Sequence, residues 1–254
     1  MLQSMHSFSY DLVVEHSRFL VVAKPGGIPT VPLAHGQDGT SLLALVGVDF
    51  PEVLHPMGRY GHEGGVLHRL DTDTCGLVLV ARDPEAYASL QQAQLSGNFV
   101  KTYMAAVSCA QPLEGFPPFP LREHGDAQMC ISSKFRAYGS GRKVVRPVTV
   151  DSSPLAQAKS GDRTYTTRVL ESGANASGHQ LVSCSLDNGF RHQVRCHLAW
   201  MGIPIVGDAV YGGLHADSLH LAALEIRFPS PDGGELLTIH WTSPPDWATP
   251  FETR

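Results

Sequence analysis

A short polar run between residues 68 and 77 contains the residue types that could do chemistry. At its centre is Asp71, with Arg69 two positions before it and threonines close by. A carboxylate beside a cation and hydroxyl groups suits acid–base or nucleophilic catalysis. The same residues also suit a plain turn that Asp71 caps through Thr74, because Asp and Thr favour turns through local hydrogen bonds. On this run alone the turn is the favoured interpretation.

The elements around this run predict where Asp71 must lie. An apolar run follows at residues 77–81 and predicts a buried strand. Asp71 should therefore lie where the chain enters a sheet, on a turn that Gly76 permits. Strands are predicted at residues 12–14, 19–23, 77–82, 99–107, 164–170 and 180–186, and helices at 42–46, 84–95 and 191–201.

Length and composition predict an ordinary globular protein. The chain has 254 residues, with 43% hydrophobic and 17% charged side chains, which is enough for one large domain or two intimate halves. No apolar run approaches the roughly 18 residues of a membrane span, and residues 1–6 do not resemble a secretory signal. Five cysteines without a C-x-x-C pair predict reduced thiols in a cytoplasm.

Charge is distributed unevenly along the chain. The net charge is −5, yet residues 127–150 contain five basic side chains and no acidic one. A local basic face is sufficient for binding nucleic acid, although a solvated loop explains the charge equally well. Glycines at 139 and 141 predict a tight turn, so we expect a loop or hairpin arm whose two basic limbs face one way and bind a nucleic-acid backbone. The basic residues are Lys134, Arg136, Arg142, Lys143 and Arg146.

A metal site is the first alternative for the polar run. Asp71 and Asp73, with nearby histidines such as His55, His62 and His68, could serve a metal-dependent phosphodiesterase. No metal-ligand spacing supports this interpretation, so surface histidines are favoured and no metal is expected. The pair of His192 and Cys196, four residues apart, lacks a third ligand in the same way.

Five segments of the chain resemble the RluA-type RNA pseudouridine synthases, and together they extend over most of its length. Residues 68–76 resemble the H-R-L-D-x-x-T-S-G signature, with Cys75 in place of the serine. The segment at 189–198 resembles G-R-x-H-Q-I-R-x-H-L, with Phe190 in place of the first arginine. The other similar segments are residues 24–29 (K-P-x-G-x-P), 101–107 (K-x-Y-x-A-x-V) and 202–212 (G-x-P-I-x-G-D-x-x-Y-G).

The resemblance implies an α+β fold, with a mixed, mainly antiparallel central sheet flanked by helices and carrying a catalytic cleft. It implies a single catalytic domain over residues 1–254, without a separate RNA-binding module. In the family the residue that matches Asp71 is catalytic, the match of Tyr103 lies against the target base, and the match of Arg195 pairs with the aspartate. Arg69 and Leu198 are expected to contact the substrate. On the predicted last helix, Arg195 and Leu198 would share a face with Arg191.

The implied reaction breaks the bond from C1′ to N1 of uridine and joins C1′ to C5. Because no atoms are gained, no cofactor is expected. Asp71 must be ionised, either as a nucleophile or as a base at C2′, and Arg195 would favour that charge. The base must first leave its stack, after which Arg69 could fill the vacated space and Tyr103 could stack on the base. We expect a monomer acting on structured RNA, rRNA or tRNA; a non-catalytic RNA-binding protein on the same fold is the second alternative.

Overall fold

The computed structural model describes residues 8–32, 40–58, 60–111, 113–120 and 129–249. The N-terminal residues 1–6 and residues 127–128 of the basic stretch lie outside the described residues. The chain divides into two compact units. The first comprises Met1–Phe99 and Ala223–Thr242, and the second comprises Val100–Ala222 and Ser243–Arg254.

Ten strands and four α-helices form within the described residues. The strands are β1 (Asp11–Glu15), β2 (Phe19–Lys24), β3 (Cys75–Ala81), β4 (Val100–Val107), β5 (Met129–Tyr138), β6 (Val144–Val148), β7 (Tyr165–Ala174), β8 (Gln180–Leu186), β9 (Leu221–Pro229) and β10 (Leu236–His240). The helices are α1 (Leu42–Asp49), α2 (Pro84–Leu95), α3 (Pro154–Ala158) and α4 (Gln193–Trp200).

The first unit is organised around two strands that are buried at every position, β2 and β3. Such continuous apolar runs are typical of strands covered on both faces. The strand order is β1-β2-β3-β9, with β10 paired to β9. Helix α2 begins at Asp83, whose side chain accepts from the Ala86 amide, and it buries Leu90 in a core that includes Phe19 and Phe228. This core supports the entrance to β3, where Asp71 is found.

The second unit has the strand order β4-β8-β7-β5-β6, and its strands pair antiparallel. Strand β5 changes partner along its length, because residues 129–133 pair with β7 whereas residues 134–138 pair with β6. Helix α4 packs against β6 and β7. Phe135 of β5, Val145 of β6 and Cys196 of α4 meet in one core cluster, so the basic hairpin and α4 share a packing core.

The α+β class with mainly antiparallel pairing is confirmed. Two element predictions were wrong. The helix expected at 191–201 begins at Gln193, because His192 has a left-handed backbone (φ 56°) and ends the preceding turn. Strand β7 continues to Ala174, through residues where a polar turn was expected, because pairing with β8 extends to Gln180. None of the helices within the described residues is long and apolar enough to span a membrane.

Candidate active site

Asp71 lies on the loop that precedes β3, between two residues whose backbone is held by side chains. On one side, the Thr30 hydroxyl accepts from the Leu70 amide (3.0 Å) and donates to the Leu70 carbonyl (2.9 Å). The turn itself closes through the Thr74 amide, which donates to the Asp71 carbonyl at 3.1 Å. That bond uses the backbone of Asp71 and does not engage its carboxylate, which is half-buried.

On the other side of Asp71, the side chain of Lys24 binds the backbone of the loop. Its side chain is completely buried, and its Nζ donates to the carbonyl oxygens of Pro25 (2.8 Å), Ile28 (2.8 Å) and Thr72 (2.9 Å). The Gly27 amide donates to the same Thr72 carbonyl at 2.9 Å. The K-P-x-G-x-P segment is therefore a clamp on the residue that follows Asp71.

The ammonium group of Lys24 also brings positive charge to this loop. Burial lowers the pKa of Lys24 to about 8, while Cys75, Asp73 and Asp71 act in the opposite direction. The lysine is therefore attracted to the carboxylates of the loop that it holds.

Gly76 allows the loop to enter the sheet. Its φ is +119°, and a Cβ built there would lie 2.3 Å from the Ala223 carbonyl oxygen. Only glycine permits this backbone and this close approach to β9. The expected turn with Gly76 is confirmed.

Arg69 and His68 precede Asp71 and differ in exposure. The Arg69 side chain is 63% exposed, and its Nη1 lies 3.1 Å from Glu63 Oε1. It is thus an exposed cation close to Asp71 in sequence, and its predicted contact with RNA stays a prediction. His68 is buried, and its Nε2 accepts from the Leu79 amide at 3.2 Å. The surface-histidine interpretation is correct for His55 and His62 and wrong for His68.

Tyr103 lies in the second unit, on the face of β4 that is buried. It is 8% exposed and pairs in register with Cys184 of β8. Lys101, two residues earlier, has its side chain on the same face and is 3% exposed. Burial lowers the pKa of Lys101 to about 8, partly offset by Asp187. A tyrosine and an ammonium group therefore lie side by side on this strand.

Arg195, on α4, is bound to Asp208. Its Nε donates to Oδ2 at 2.7 Å and its Nη2 donates to Oδ1 at 2.8 Å. The Asp208 Oδ1 also accepts from the amides of Val210 (3.1 Å) and Tyr211 (3.2 Å). A buried bidentate pair with further backbone bonds fixes the plane of the guanidinium. The expected pairing of Arg195 with Asp71 stays a prediction.

The remaining predicted residue of α4, Leu198, is fully buried, as is its neighbour His197. His197 is held at both ring nitrogens, by the hydroxyls of Ser133 (3.0 Å) and Thr167 (2.8 Å). Burial lowers the pKa of His197 to about 3, so this ring is neutral and structural. The role of Leu198 toward a substrate stays a prediction.

Phe190 and Arg191, which precede His192 and the start of α4, have separate roles. Phe190 stacks on Phe135, with ring centroids 5.0 Å apart and an angle of 3°, and so it joins the core of the second unit. Arg191 lies outside α4, so the expected face shared with Arg195 does not form. Its Nη2 instead donates to the carbonyls of Arg142 (2.6 Å) and Val144 (3.4 Å). The arginine next to Phe190 thereby ties the chain before α4 to the basic hairpin.

The basic residues lie on the hairpin of β5 and β6, as predicted. Its tip contains glycines with positive φ at 139 and 141. Arg142 and Lys143 are exposed at the tip, and Lys134 and Arg136 are half-buried on β5. Arg136 and Arg146 are direct cross-strand partners, so the two limbs face one way there, as expected, although Arg146 is only 9% exposed. Its side chain is covered because Phe116 and Tyr138 stack against it.

No group of three or more His, Cys, Asp or Glu within the described ranges is arranged to hold a metal ion. The Nδ1 of His192 lies 3.2 Å from the Tyr211 hydroxyl, and the thiol of Cys196 donates to the Val145 carbonyl at 3.6 Å. The side chains that were considered as metal ligands on α4 therefore have structural partners.

Sequence reasoning missed three residues that hold the candidate residues: Lys24 and Thr30 hold the loop of Asp71 in the first unit, and Asp208 holds Arg195 in the second. The signal for Lys24 was the K-P-x-G-x-P run, and the signal for Asp208 was the G-D-x-x-Y-G run. Both runs were recognised, but nothing in either indicated which atoms its side chains would bind. Thr30 had no signal, because its partner, Leu70, is forty residues away in the sequence.

Comparison with known proteins gives one matching family. The model of a family described as RNA pseudouridylate synthase matches residues 18–200. Ribosomal large subunit pseudouridine synthase D of Pseudomonas aeruginosa is 32% identical over 204 residues, which cover 80% of this chain and 53% of the relative. An uncharacterized RNA pseudouridine synthase of Bacillus subtilis, YhcT, is 30% identical over 241 residues, which cover 93% of this chain and 69% of the relative. The chain spans about half the length of the synthase D relatives.

Two solved structures share the fold. Human RNA pseudouridylate synthase domain containing 1 has a TM-score of 0.65 and 20% identity, with 93% of this chain and 84% of the other covered. Human RNA pseudouridylate synthase domain containing 4 has a TM-score of 0.61 and 18% identity, with 92% and 89% covered. At these identities the likeness concerns the fold alone.

Proposed function

The chain belongs to the RNA pseudouridylate synthase family, and we propose that it isomerises uridine to pseudouridine in RNA. The reaction breaks the C1′–N1 bond and forms a C1′–C5 bond, and the proton on C5 moves to N1, so reactant and product have the same atoms. It needs no oxidant, nucleotide or other co-substrate. We therefore expect activity without a cofactor.

The observation that carries this proposal is the clamped loop of Asp71. Thr30 and Lys24 hold the residues on either side of it, so the loop fixes the position from which the Asp71 side chain extends. Such preorganisation is what attack at a sugar carbon requires. In our proposal Asp71 acts in its ionised form, either as the nucleophile at C1′ or as the base at C2′.

Arg195 is proposed as the cationic partner of Asp71. The two hydrogen bonds to Asp208 fix the plane of its guanidinium. An arginine held in this way can favour the charge of a second carboxylate.

Substrate recognition is proposed to begin with flipping of the target base. Unstacking a base costs a few kcal/mol, and stacking on an aromatic ring returns about 1–3 kcal/mol. We assign the stacking to Tyr103, the filling of the vacated space to the exposed Arg69, and an apolar contact with the base to Leu198. The basic hairpin, with Lys134, Arg136, Arg142, Lys143 and Arg146, would bind backbone phosphates.

The relatives of known name favour ribosomal RNA as the first substrate to test. Several of them are named ribosomal large subunit pseudouridine synthase D, so we propose large-subunit rRNA, with tRNA as the second substrate. All five cysteines are free thiols, which fits a reducing compartment such as the cytoplasm. A single catalytic domain acting as a monomer is the form that we propose.

The test is pseudouridine formation by purified protein on rRNA and tRNA lacking the modification. Asp71→Asn should abolish turnover while the protein stays folded, because the amide cannot supply the charge. Asp73→Asn, on the same loop, is the matched control and should stay active. A folded Asp71→Asn variant with more than a trace of activity would show that another group does the chemistry.

A further inference from the structure

Arg146 is a buried cation, and two of its three side-chain nitrogens have no hydrogen-bond partner among the described residues. It lies on strand β6 of the hairpin, and its side chain is only 9% exposed. Its Nε and Nη1 are buried and have no hydrogen-bond partner among the described residues. Buried charges in proteins are normally paired, because an uncompensated ion loses its hydration. A buried guanidinium without an ion pair therefore indicates a binding site for an anion that is not part of the protein.

Two aromatic rings and a second arginine surround this group. The guanidinium carbon of Arg146 lies 4.5 Å from the ring centre of Phe116 and 4.7 Å from that of Tyr138. Arg136 is the direct cross-strand partner of Arg146, and its guanidinium carbon lies 4.9 Å from the same Tyr138 ring. Two cations thus share one aromatic ring.

The stretch contains no acid that could balance this pair. Residues 129–150 include no Asp or Glu, and neither arginine forms an ion pair with a described residue. Like charges placed opposite each other on adjacent strands repel, and aromatic faces compensate a cation only in part. The hairpin therefore carries a local electrostatic strain that a bound anion would relieve.

We propose that Arg136 and Arg146 form a binding site for a single phosphate group, filled by a backbone phosphate of the RNA substrate. Planar guanidinium groups match the oxygens of a phosphate, and their aromatic neighbours hold them in plane. Tyr138, at the edge of the pair, is 38% exposed, so the site borders solvent. The identification of the anion as RNA rests on the proposed function, whereas the anion site itself does not.

The first experiment measures thermal unfolding in sodium phosphate and in sodium chloride of equal ionic strength, without RNA. Wild type should melt about 3 °C higher at saturating inorganic phosphate, since a ligand of the folded state stabilises it. Arg136→Gln should melt about 2 °C above wild type in chloride, because the repulsion is gone, and should lose the phosphate response. Lys159→Gln, exposed in the same unit but outside the hairpin, is the control and should keep the response.

Two results of this experiment would overturn the site. One is a wild-type melting temperature that responds to phosphate and chloride equally, and the other is a phosphate response that survives in Arg136→Gln. Arg146→Lys, which keeps the charge without the planar fork, should also lose the response. Because Arg146 is buried, that variant could fail to fold. The result then depends on Arg136→Gln, whose side chain is only half-buried.

The second experiment measures RNA affinity at fixed salt. Arg136→Gln should weaken binding about tenfold, as expected when a charge-assisted hydrogen bond to phosphate is removed, and more than Lys143→Gln does. Unchanged RNA affinity together with an abolished phosphate response would contradict the assignment to RNA and leave an anion site for another ligand. Neither experiment depends on turnover, so failure of the proposed enzymatic function would be seen separately, in the activity assay.

Discussion

Arg195 donates two parallel hydrogen bonds to the carboxylate of Asp208, and both side chains are almost completely buried. The same carboxylate accepts two backbone amides of the turn that follows it. The pair therefore joins α4 to the 208–211 turn. Because both side chains are buried, removal of either partner leaves the other charge buried without an ion pair, which lowers the free energy of unfolding.

Asp208→Asn should lower the free energy of unfolding by about 3–5 kcal/mol, the usual effect of breaking a buried ion pair from one side. Urea denaturation measures this directly. Asp217→Asn, at an exposed position of the same unit, should change the free energy by less than about 0.5 kcal/mol. An Asp208→Asn variant as stable as wild type would mean that the pair contributes no stability.

Arg195→Lys should lower kcat about tenfold while the protein stays folded. The reason is that the planar guanidinium is a better partner for carboxylates than the ammonium group of lysine, which cannot form two parallel hydrogen bonds. Lysine is the better substitution because Arg195→Met would leave Asp208 without any cation. The measurement is kcat of the two proteins at saturating RNA, and equal values would indicate that Arg195 does not act on Asp71.

Chelation should leave the activity intact. An isomerisation needs no Lewis acid, and the described residues offer no group of metal ligands. Pseudouridine formation in EDTA, with metal content determined on the same sample, is the measurement. If removal of a stoichiometric metal stopped turnover, the alternative of a metal-dependent phosphodiesterase using Asp71 and Asp73 would gain support.

Replacing Arg142 and Lys143 by Gln should flatten the dependence of RNA affinity on salt. The slope of log affinity against log salt should fall by roughly 0.7 for each single-strand phosphate that the variant no longer neutralises. Both side chains are exposed at the hairpin tip, so the variant should fold normally. Lys159→Gln, exposed in the same unit but outside the hairpin, should keep the wild-type slope. Equal slopes in all three proteins would identify the tip as a solvated loop.

His197 should make the protein less stable in acid. Burial lowers its pKa from 6.5 to about 3, so between these values the unfolded chain binds a proton that the folded chain does not. The stabilisation from the neutral ring is complete above pH 6.5 and is lost as pH falls toward 3, by about 1.4 kcal/mol per pH unit. His197→Gln should lose this slope, and His215→Gln, at an exposed position, should keep it. Urea midpoints between pH 7 and pH 5 would show the difference.

The strands and helices with strong local signals were predicted well. The apolar run at residues 77–81 forms most of β3, and Asp83 with Pro84 begins α2 as the capping pattern indicates. The start of α4 was missed, because it depends on the left-handed backbone of His192 and on the Tyr211 hydroxyl beside its ring. These are contacts between distant parts of the chain, and no local pattern encodes them.

The sequence by itself determined the family, because the resemblance depends on residue types at fixed spacing, and the resemblance implied the α+β class and the candidate residues Asp71, Tyr103 and Arg195. Only the tertiary structure decided what holds them. Lys24 binds the carbonyl of Thr72, and Asp208 binds Arg195, through atoms that meet only after the strands have paired. In the same way, residue type and charge placed Arg146 among the basic residues, whereas packing against Phe116 and Tyr138 separated it from them. Long-range contacts decide which side chains are buried and which groups they bind. The spacing of residues along the chain does not predict those contacts.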